Sequence, residues 1–341
     1  IKQASGEQRK SKLRAVYLIF PSNGLLDSHE RCLRYFDQKG YSVTVVSNVT
    51  MTAQDRSRVL PLCQNYIERP NFGYDFGGYR DGILSLRDEL YAIDQLVLMN
   101  DSCWFPITDA SDWLDDVGSL DVDFAAAASH YGLPRPEPSN FRDMEFEYRT
   151  SHKNFHYCSY ALSFGSRAIQ HPKFIHFWQK FPLSNSKRRT VKRGEIGLTK
   201  WVLNNQMTHG STLDIAQLDH LLLKLGVDRL QQIAAELIIM DDSQMRKVHK
   251  QVSGLLENMS TKDLVGFILT AVARKGASYA LAEFNIFESG FPFLKKSPVW
   301  MERDTSDKTV RILEKLNTSV ADEALKEAKS TRDRKWHASG S

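Results

Sequence analysis

The 341-residue sequence has no apolar run that approaches the roughly 20 residues needed to span a bilayer. Its first segment, residues 1–12, is polar and basic and lacks the apolar stretch of a secretory signal. The net charge is only +4, from 45 basic and 41 acidic residues, whereas a nucleic-acid-binding protein concentrates basic charge on one face. The sequence therefore predicts a cytoplasmic protein without a nucleic-acid partner.

Cysteines are also few, and they follow no metal-ligand spacing. The four lie far apart, at Cys32, Cys63, Cys103 and Cys158. Reduced thiols in a cytoplasm are the expected state. The sequence also lacks a Walker A loop, a GxGxxG fingerprint, an HExxH pair and a nucleophile elbow, so the enzyme classes that depend on those motifs are not indicated.

The composition is that of a folded globular protein, because 42% of the residues are hydrophobic and 25% are charged. We expect a catalytic domain over residues 13–210, a helical C-terminal region over 211–320 that packs on it, and flexible termini at 1–12 and 321–341. Because the chain opens without Met and ends in Ser339-Gly340-Ser341, we also expect it to be part of a longer protein with other domains.

The first hundred residues alternate between strand and helix patterns, which predicts an α/β fold with a mostly parallel sheet flanked by helices. Strands are expected at residues 13–20, 41–47, 65–69 and 94–100, and helices at 28–39, 52–62 and 75–91. Further strands are expected at 122–129 and 157–164, helices at 172–181 and 195–204, and a basic loop at 187–193. Such sheets bind ligands at the carboxyl ends of their strands, so we expect the site in the loops that follow the first four strands.

The most informative loop joins the third strand to the third helix, over residues 69–79. It contains glycines, which permit close approach of a ligand to the backbone, beside an arginine and aromatic side chains. A helix N-terminus favours phosphate, and an aromatic ring can stack on a base. The alternative is a tight turn in which Asp75 caps the helix.

Three other segments are candidates for chemistry. The Asn100-Asp101-Ser102 motif follows a buried strand, where a carboxylate can hold a divalent cation against a diphosphate or, alternatively, cap the next turn. Glu195 at a helix start is a candidate general base, or a first-turn acid that interacts with the helix dipole. The basic loop 187–193 can reach a diphosphate or anionic lipid headgroups, or it can be a solvated loop.

His130 and His156 flank predicted strands, where a lone histidine is more often structural than a ligand.

With these motifs the sequence resembles the rhamnan synthesis protein F family of bacterial polysaccharide glycosyltransferases. The matching segments run in order along most of the chain: YSVTVVSN (41–48), ERPNFGYDFGGYRDGI (68–83), LVLMNDSCWFP (96–106), NFHYCSYALSFGSRAI (154–169), FIHFW (174–178), GEIGLTKWVL (194–203) and GFPFLKKSPV (290–299). The resemblance implies a GT-A-like nucleotide-sugar fold over 13–210. It also implies transfer of a sugar, often rhamnose from a dTDP donor, to a growing cell-envelope glycan or lipid-linked acceptor.

Within that family picture, Asp101 would meet a metal–diphosphate, with Mg²⁺ or Mn²⁺ as the cation, and Glu195 would take the acceptor proton. A single displacement of this kind inverts the anomeric centre and needs no enzyme nucleophile. The residues expected to bind the donor are Ser22, Asn23, Asn48, Arg69, Asn71, Gly73, Tyr74, Asp75, Gly77, Asn100, Ser102 and His156. Peripheral contact with the inner face of the cytoplasmic membrane is expected through 187–193.

Two other functions fit the sequence less well. A non-catalytic glycan-binding or scaffolding module of a larger polysaccharide-assembly protein would bind glycan without affinity for nucleotides. A phosphate-handling hydrolase of doubly wound fold is the least favoured, because no nucleophilic Asp or Cys follows the first strand.

Overall fold

The computed structural model describes residues 1–130 and 132–337. These residues form two compact units. The first unit comprises Ile1–Pro106, Trp113–Ala127 and Tyr157–Thr212, and the second comprises Ile107–Asp112, Ala128–His156 and the chain from Leu213 onwards. The units divide the chain at more places than the single predicted boundary at 210/211, and the domain limits stay a prediction.

The first unit is built on an eight-stranded sheet. Its strands are β1 (Lys2–Ser5), β2 (Leu13–Ile19), β3 (Ser42–Ser47), β4 (Asn65–Glu68) and β5 (Gln95–Asn100), then, after the short β6 (Cys103–Trp104), β7 (Phe124–Ala126), β10 (Ala161–Gly165) and β11 (His209–Ser211). Two-residue strands β8 (Ser129–His130) and β9 (His156–Tyr157) stand between β7 and β10 in the chain. The order across the sheet is β1-β4-β3-β2-β5-β10-β7-β11.

Parallel pairing joins β4, β3, β2 and β5, and also β7 and β11. Antiparallel pairing joins β1 to β4 and places β10 between β5 and β7. Val16 in the middle of β2 lies opposite Thr44 of β3 and Leu98 of β5. All six residues of β3 are buried, as expected for a parallel strand that is covered on both faces.

Helices cover this sheet. They are α1 (Asp27–Gln38), α2 (Ala53–Val59), α3 (Tyr74–Ser85), α4 (Trp113–Leu120), α5 (Ser166–Ile169), α6 (Pro172–Lys180), α7 (Lys187–Arg193) and α8 (Glu195–Asn204). Helix α3 packs closely on β2, since a Cβ atom at Gly78 would lie 2.4 Å from Leu18 Cδ1 and one at Gly82 would lie 2.4 Å from Val16 Cγ1. These two glycines therefore fix the distance between the helix and the sheet.

The second unit is helical. Its helices are α9 (Leu218–Leu223), α10 (Val227–Glu236), α11 (Ser243–Ser253), α12 (Thr261–Lys275), α13 (Ala277–Ala280), α14 (Ala282–Ser289), α15 (Pro298–Met301), α16 (Arg303–Leu316) and α17 (Ser319–His337), with a short strand β12 at Leu294–Lys295. Helix α12 lies at its centre, with eleven buried residues from Leu264 to Arg274. The predicted class, an α/β fold with a mostly parallel sheet flanked by helices and a helical C-terminal region, is confirmed.

Several local predictions differ from the structure. The third helix ends at Ser85 and continues as a 3₁₀ helix over Arg87–Ala92, so the predicted helix 75–91 is two elements. The predicted basic loop 187–193 is helix α7, because Ser186 Oγ caps it by accepting a hydrogen bond from Arg189 N at 3.4 Å. The termini expected to be flexible contain strand β1, paired with β4, and most of α17. Over the described residues, no helix is both long and apolar enough to cross a bilayer.

Candidate active site

The parallel strands β2, β3, β4 and β5 end at the same edge of the sheet, where the loops predicted to form the site begin. Asp101 follows β5 at this edge. Its Oδ2 accepts a hydrogen bond of 2.7 Å from Phe20 N and lies 3.1 Å from His29 Nε2. The side chain of Asp101 is 20% exposed, so the carboxylate is oriented by the protein but still meets solvent.

His29 orients Asp101 and was missed by sequence reasoning. Its side chain is only 1% exposed, and its Nδ1 accepts a hydrogen bond from Leu26 N at 3.1 Å. Nδ1 therefore carries no proton, so Nε2 carries it and donates it to Asp101. The only signal in the sequence is its position on the apolar face of α1, four residues before Leu33 and seven before Phe36, both buried.

Glu195, the first residue of α8, is held by a residue that the sequence did not single out. Glu195 Oε1 accepts hydrogen bonds from Ser159 N at 3.1 Å and from Ser159 Oγ at 2.8 Å. Ser159 is in turn fixed by Tyr79 of α3, whose hydroxyl donates to Ser159 O at 2.7 Å. Tyr79 and Ser159 are buried, so α3 determines the position of Glu195 through one buried loop residue.

The hydroxyl of Tyr79 is affected by the charges of the acidic residues predicted for the site. Burial raises the pKa of Tyr79 well above its usual value, and the charges of Asp75, Asp101, Cys103 and Glu195 raise it further. A nearby negative charge disfavours loss of the tyrosine proton, and this effect weakens with distance. The charges of three carboxylates named from three separate segments of the sequence thus act on one buried side chain.

The glycine loop before α3 adopts an uncommon backbone. Gly73 and Tyr74 both have positive φ, at 87° and 51°. A tyrosine in this left-handed region is strained, and such residues cluster at functional sites. Asn185 holds the loop, since its Oδ1 accepts from Gly73 N at 3.1 Å and its carbonyl oxygen accepts from Tyr74 Oη at 3.2 Å. The helix is preceded by Gly73 at the cap position, with Asp75 in the first turn, so the alternative of Asp75 as the capping residue is wrong.

Arg69 is buried and supports the glycine loop before α3 by hydrogen bonding. Its side chain is 3% exposed, and each of its nitrogens donates within the protein at 2.7 Å: Nε to Asp81 Oδ2, Nη1 to Asn48 Oδ1 and Nη2 to Phe72 O. A Cβ atom at Gly77 would lie 2.8 Å from Arg69 Nη2, so the glycine makes room for the guanidinium. The geometry favours a supporting role for Arg69 and Asn48, and their contact with a donor stays a prediction.

The remaining predicted residues of the first unit lie on the same loops. Ser22, Asn23 and Asn71 are exposed. Asn100 is buried, and its Oδ1 accepts from Ser102 N at 3.1 Å. Asn100 thus caps the turn after β5, and the role of Asp101 at this turn stays a prediction.

His156 belongs to the second unit, where its ring packs against that of His130 with centroids 5.6 Å apart. Its Nδ1 lies 2.8 Å from Asn154 O. Burial lowers the pKa of His130 well below its usual value, and the charges of His156, Lys275 and Arg135 lower it further. The packing of the half-buried His130 against the buried His156 fits the structural role expected of lone histidines, and a donor contact by His156 stays a prediction.

The described part of the chain contains no metal site made by protein side chains alone. Within residues 1–130 and 132–337, no three His, Cys, Asp or Glu side chains are grouped so that they could hold a metal ion. Asp101 is the carboxylate that the sequence predicts for a cation, and it lies at the strand ends.

The fold defines the class of protein, an α/β protein whose predicted site acids stand at a strand end and at two helix starts. The model of the rhamnan synthesis protein F family matches residues 43–281, more than half of the chain. The chain belongs to this family.

One relative is similar to the chain over part of its length. The chain is 37% identical over 186 residues to the uncharacterized protein y4gN of Sinorhizobium fredii, a match that covers 54% of this chain and 44% of that protein. The chain thus spans less than half the length of this relative.

Two solved structures are similar to the chain at low identity. One is core-mannan synthase A from Aspergillus fumigatus in a Mn/GDP form, with 8% identity, 52% of this chain and 65% of that chain covered, and a TM-score of 0.28. The other is described as a nucleotide-diphospho-sugar transferase from Desulfovibrio desulfuricans, with 10% identity, coverage of 73% and 98%, and a TM-score of 0.29. TM-scores this low do not establish a shared fold.

Proposed function

We propose that the chain is a GT-A-like glycosyltransferase that moves a sugar, with rhamnose as the first candidate, from a nucleotide-diphosphate donor to a cell-envelope glycan. Membership of the rhamnan synthesis protein F family supports the reaction class. The observation that carries the proposal is the support of the two predicted catalytic carboxylates, since Asp101 is oriented by the buried His29 and Glu195 by the buried Ser159.

The donor diphosphate would lie at the strand ends beside Asp101. Mg²⁺ usually takes one or two carboxylates from the protein and fills its other positions with substrate phosphates and water, so a single oriented carboxylate suits it. When bound, the cation would supply stabilisation of the charge that develops on the leaving diphosphate. The chain's own contribution is to hold Asp101 in place through Phe20 N and His29.

The acceptor hydroxyl would be activated by Glu195. As the acceptor oxygen forms its bond to the anomeric carbon, the bond from that carbon to the diphosphate oxygen breaks, and the hydroxyl proton moves to a Glu195 oxygen. The electron pair of the broken bond leaves with the nucleoside diphosphate. Attack from the face opposite the leaving group inverts the anomeric centre, and a positioned base of this kind typically contributes about 10²–10⁴-fold to the rate.

The nucleotide's environment is also part of the proposal. The exposed Ser22, Asn23 and Asn71 would meet the base or ribose, and Tyr74, 42% exposed, offers an aromatic face. The acceptor would be a glycan or a lipid-linked glycan presented on the cytoplasmic side of the membrane.

A thermal-shift screen tests this function. UDP-, GDP- and dTDP-sugars would be added with and without Mg²⁺ or Mn²⁺. A ligand that binds only the folded state raises the free energy of unfolding by mass action, by about 2.7 kcal/mol at a concentration of 100 Kd, and the melting temperature rises with it. We expect one donor class to stabilise the protein and the Asp101→Ala variant to lose the part of the shift that needs the cation.

The same screen distinguishes the transferase from a non-catalytic glycan-binding module. If no nucleotide sugar shifts the melting temperature while an isolated cell-envelope glycan does, the chain is a glycan-binding module and the transferase proposal is wrong. The Asp115→Ala variant is the matched control, because Asp115 is an exposed carboxylate on α4 that pairs with Lys39.

A further inference from the structure

Helix α7 carries an unusual concentration of positive charge. Five of its seven residues are basic, and all five are exposed: Lys187, Arg188, Arg189, Lys192 and Arg193. None of the ion pairs found among the described residues involves any of the five. We call residues 187–193 the basic helix.

Four of the five charges are arranged on one side of the basic helix, and Lys187 lies outside the arc that they span. At about 100° per residue, Arg188, Lys192, Arg189 and Arg193 fall within an arc of roughly 140°. Thr190, which is buried, lies on the opposite side and turns inward, where its hydroxyl donates to Ser184 O at 3.0 Å. The helix therefore presents a continuous cationic face to solvent.

This arrangement opposes the local rules for helix stability. The first turn holds three cations and no acid, although the positive end of the helix dipole favours negative charge there. Arg188 and Lys192 are spaced i,i+4, as are Arg189 and Arg193, and like charges at that spacing repel. An anionic partner on the cationic face would remove both penalties, and places where local rules fail are typically functional.

Exposed aromatic side chains adjoin the basic helix. Phe72 and Tyr74 are 43% and 42% exposed. The loop that carries them is tied to Asn185, two residues before the helix, through Gly73 N and Tyr74 Oη. Aromatic rings beside clustered cations are typical of surfaces that rest at the boundary between lipid headgroups and acyl chains.

From these observations we infer that the basic helix, together with Phe72, is a docking surface for an anionic lipid bilayer. A bilayer offers a plane of negative headgroups that can meet the whole cationic arc at once, while its boundary region takes up the aromatic ring. Glu195 follows Arg193 after a single glycine, so docking would bring the edge of the candidate active site to the membrane surface. This inference goes beyond the proposed reaction and needs no nucleotide sugar for its test.

Vesicle flotation measures the docking directly. The whole chain would be mixed with phosphatidylcholine vesicles, with or without phosphatidylglycerol, at low and high salt. We expect binding only to the vesicles that contain phosphatidylglycerol, and release at high salt because exposed charges are screened. A variant with Arg188, Arg189, Lys192 and Arg193 changed to Gln should bind about 600-fold more weakly, since each basic residue near the surface contributes roughly fivefold.

A matched variant separates this surface from overall charge. Changing Lys224, Lys247, Lys250 and Lys262 to Gln also removes four exposed cations, all in the second unit. This control should bind vesicles as the unmodified chain does. Phe72→Ser should weaken binding by a smaller factor that persists at high salt. Unchanged melting temperatures would show that the variants are folded.

Three outcomes would overturn the inference. They are failure of the unmodified chain to float with anionic vesicles, unchanged binding by the variant with four substitutions in the basic helix, and an equal loss of binding by the control. Binding to soluble polyphosphate without binding to vesicles would instead assign the cationic face to a soluble anion.

Discussion

Two predicted site acids of the first unit are held differently from a buried carboxylate of the second unit. In the second unit, Asp242 accepts hydrogen bonds from Arg274 Nε at 2.8 Å and from Arg274 Nη2 at 2.9 Å, and Arg135 lies 3.3 Å away. In the first unit, Asp101 accepts from a backbone N–H and an imidazole, and Glu195 accepts from a backbone N–H and a hydroxyl.

The difference matters for chemistry. A two-pronged guanidinium neutralises a carboxylate and fixes it as part of the scaffold. Backbone, hydroxyl and imidazole donors orient a carboxylate without adding an arginine or lysine charge. Carboxylates that are held by backbone, hydroxyl or imidazole donors are suited to meet a cation or a proton during a reaction. The donors that hold a carboxylate therefore help to distinguish candidate active-site acids from structural ones.

The largest expected effect is on transfer. Glu195→Gln keeps the size of the side chain and its hydrogen-bonding oxygen but removes the basic carboxylate, so kcat should fall by about 10²–10⁴-fold. The free energy of unfolding should stay within about 1 kcal/mol of the original value, because the Ser159 contacts can persist. Steady-state kinetics with the donor found by the screen, beside urea unfolding, checks both.

Retention of full turnover by Glu195→Gln would remove the base assignment. A loss of turnover together with a large loss of stability would place Glu195 with Asp242 among the structural acids.

The next largest effect concerns stability in the second unit. Arg274→Met leaves Asp242 buried without its main partner, and removing one member of a buried ion pair typically costs about 3–5 kcal/mol. Arg142→Met is the matched control, since Arg142 is 58% exposed and pairs with Asp263 at 3.5 Å. A surface pair of this kind contributes about 0–1 kcal/mol. Equal urea midpoints for the two variants would contradict the contrast.

Acidic pH should reduce the stabilisation that the ion pair between Asp242 and Arg274 contributes. Burial acts to raise the pKa of Asp242, but the hydrogen bonds from Arg274 and Met245 N and the nearby arginine charges outweigh it and hold the pKa below its usual value. A carboxyl whose pKa is lowered in the folded state stabilises the protein above its unfolded pKa of about 3.9, and that stability is lost as the pH falls further. The stability gap between the unmodified chain and Asp242→Asn should therefore narrow from pH 7 to about pH 3.5. A stability difference that widens as the pH falls would contradict this prediction.

The elements of the first unit could be predicted from sequence because their patterns are local. The runs of β-branched and aromatic residues at 13–20, 41–47 and 94–100 correspond to strands Leu13–Ile19, Ser42–Ser47 and Gln95–Asn100. Helix α7 was predicted as a loop, since its clustered like charges disfavour a helix locally.

The support of the site could not be predicted in this way. His29 and Asp101 are 72 residues apart, and Ser159 and Glu195 are 36 apart, so neither pairing has a local pattern. Asp75, Asp101 and Glu195 could be named because each stands at the start of a helix or the end of a strand. Their roles stay predictions.

The smallest effect tests the support of Glu195. Tyr79→Phe removes the hydrogen bond to Ser159 O and should lower the free energy of unfolding by about 1 kcal/mol. Tyr41→Phe removes a comparable buried bond, from Tyr41 Oη to Gln95 Oε1 at 2.6 Å, at the opposite end of β5 from Asn100. If Tyr79 positions the base, its loss should reduce kcat several-fold more than the loss of Tyr41, with similar changes in stability. Equal kcat values would mean that Ser159 holds Glu195 without help from α3, and the hydroxyl of Tyr79 would then be only a structural group.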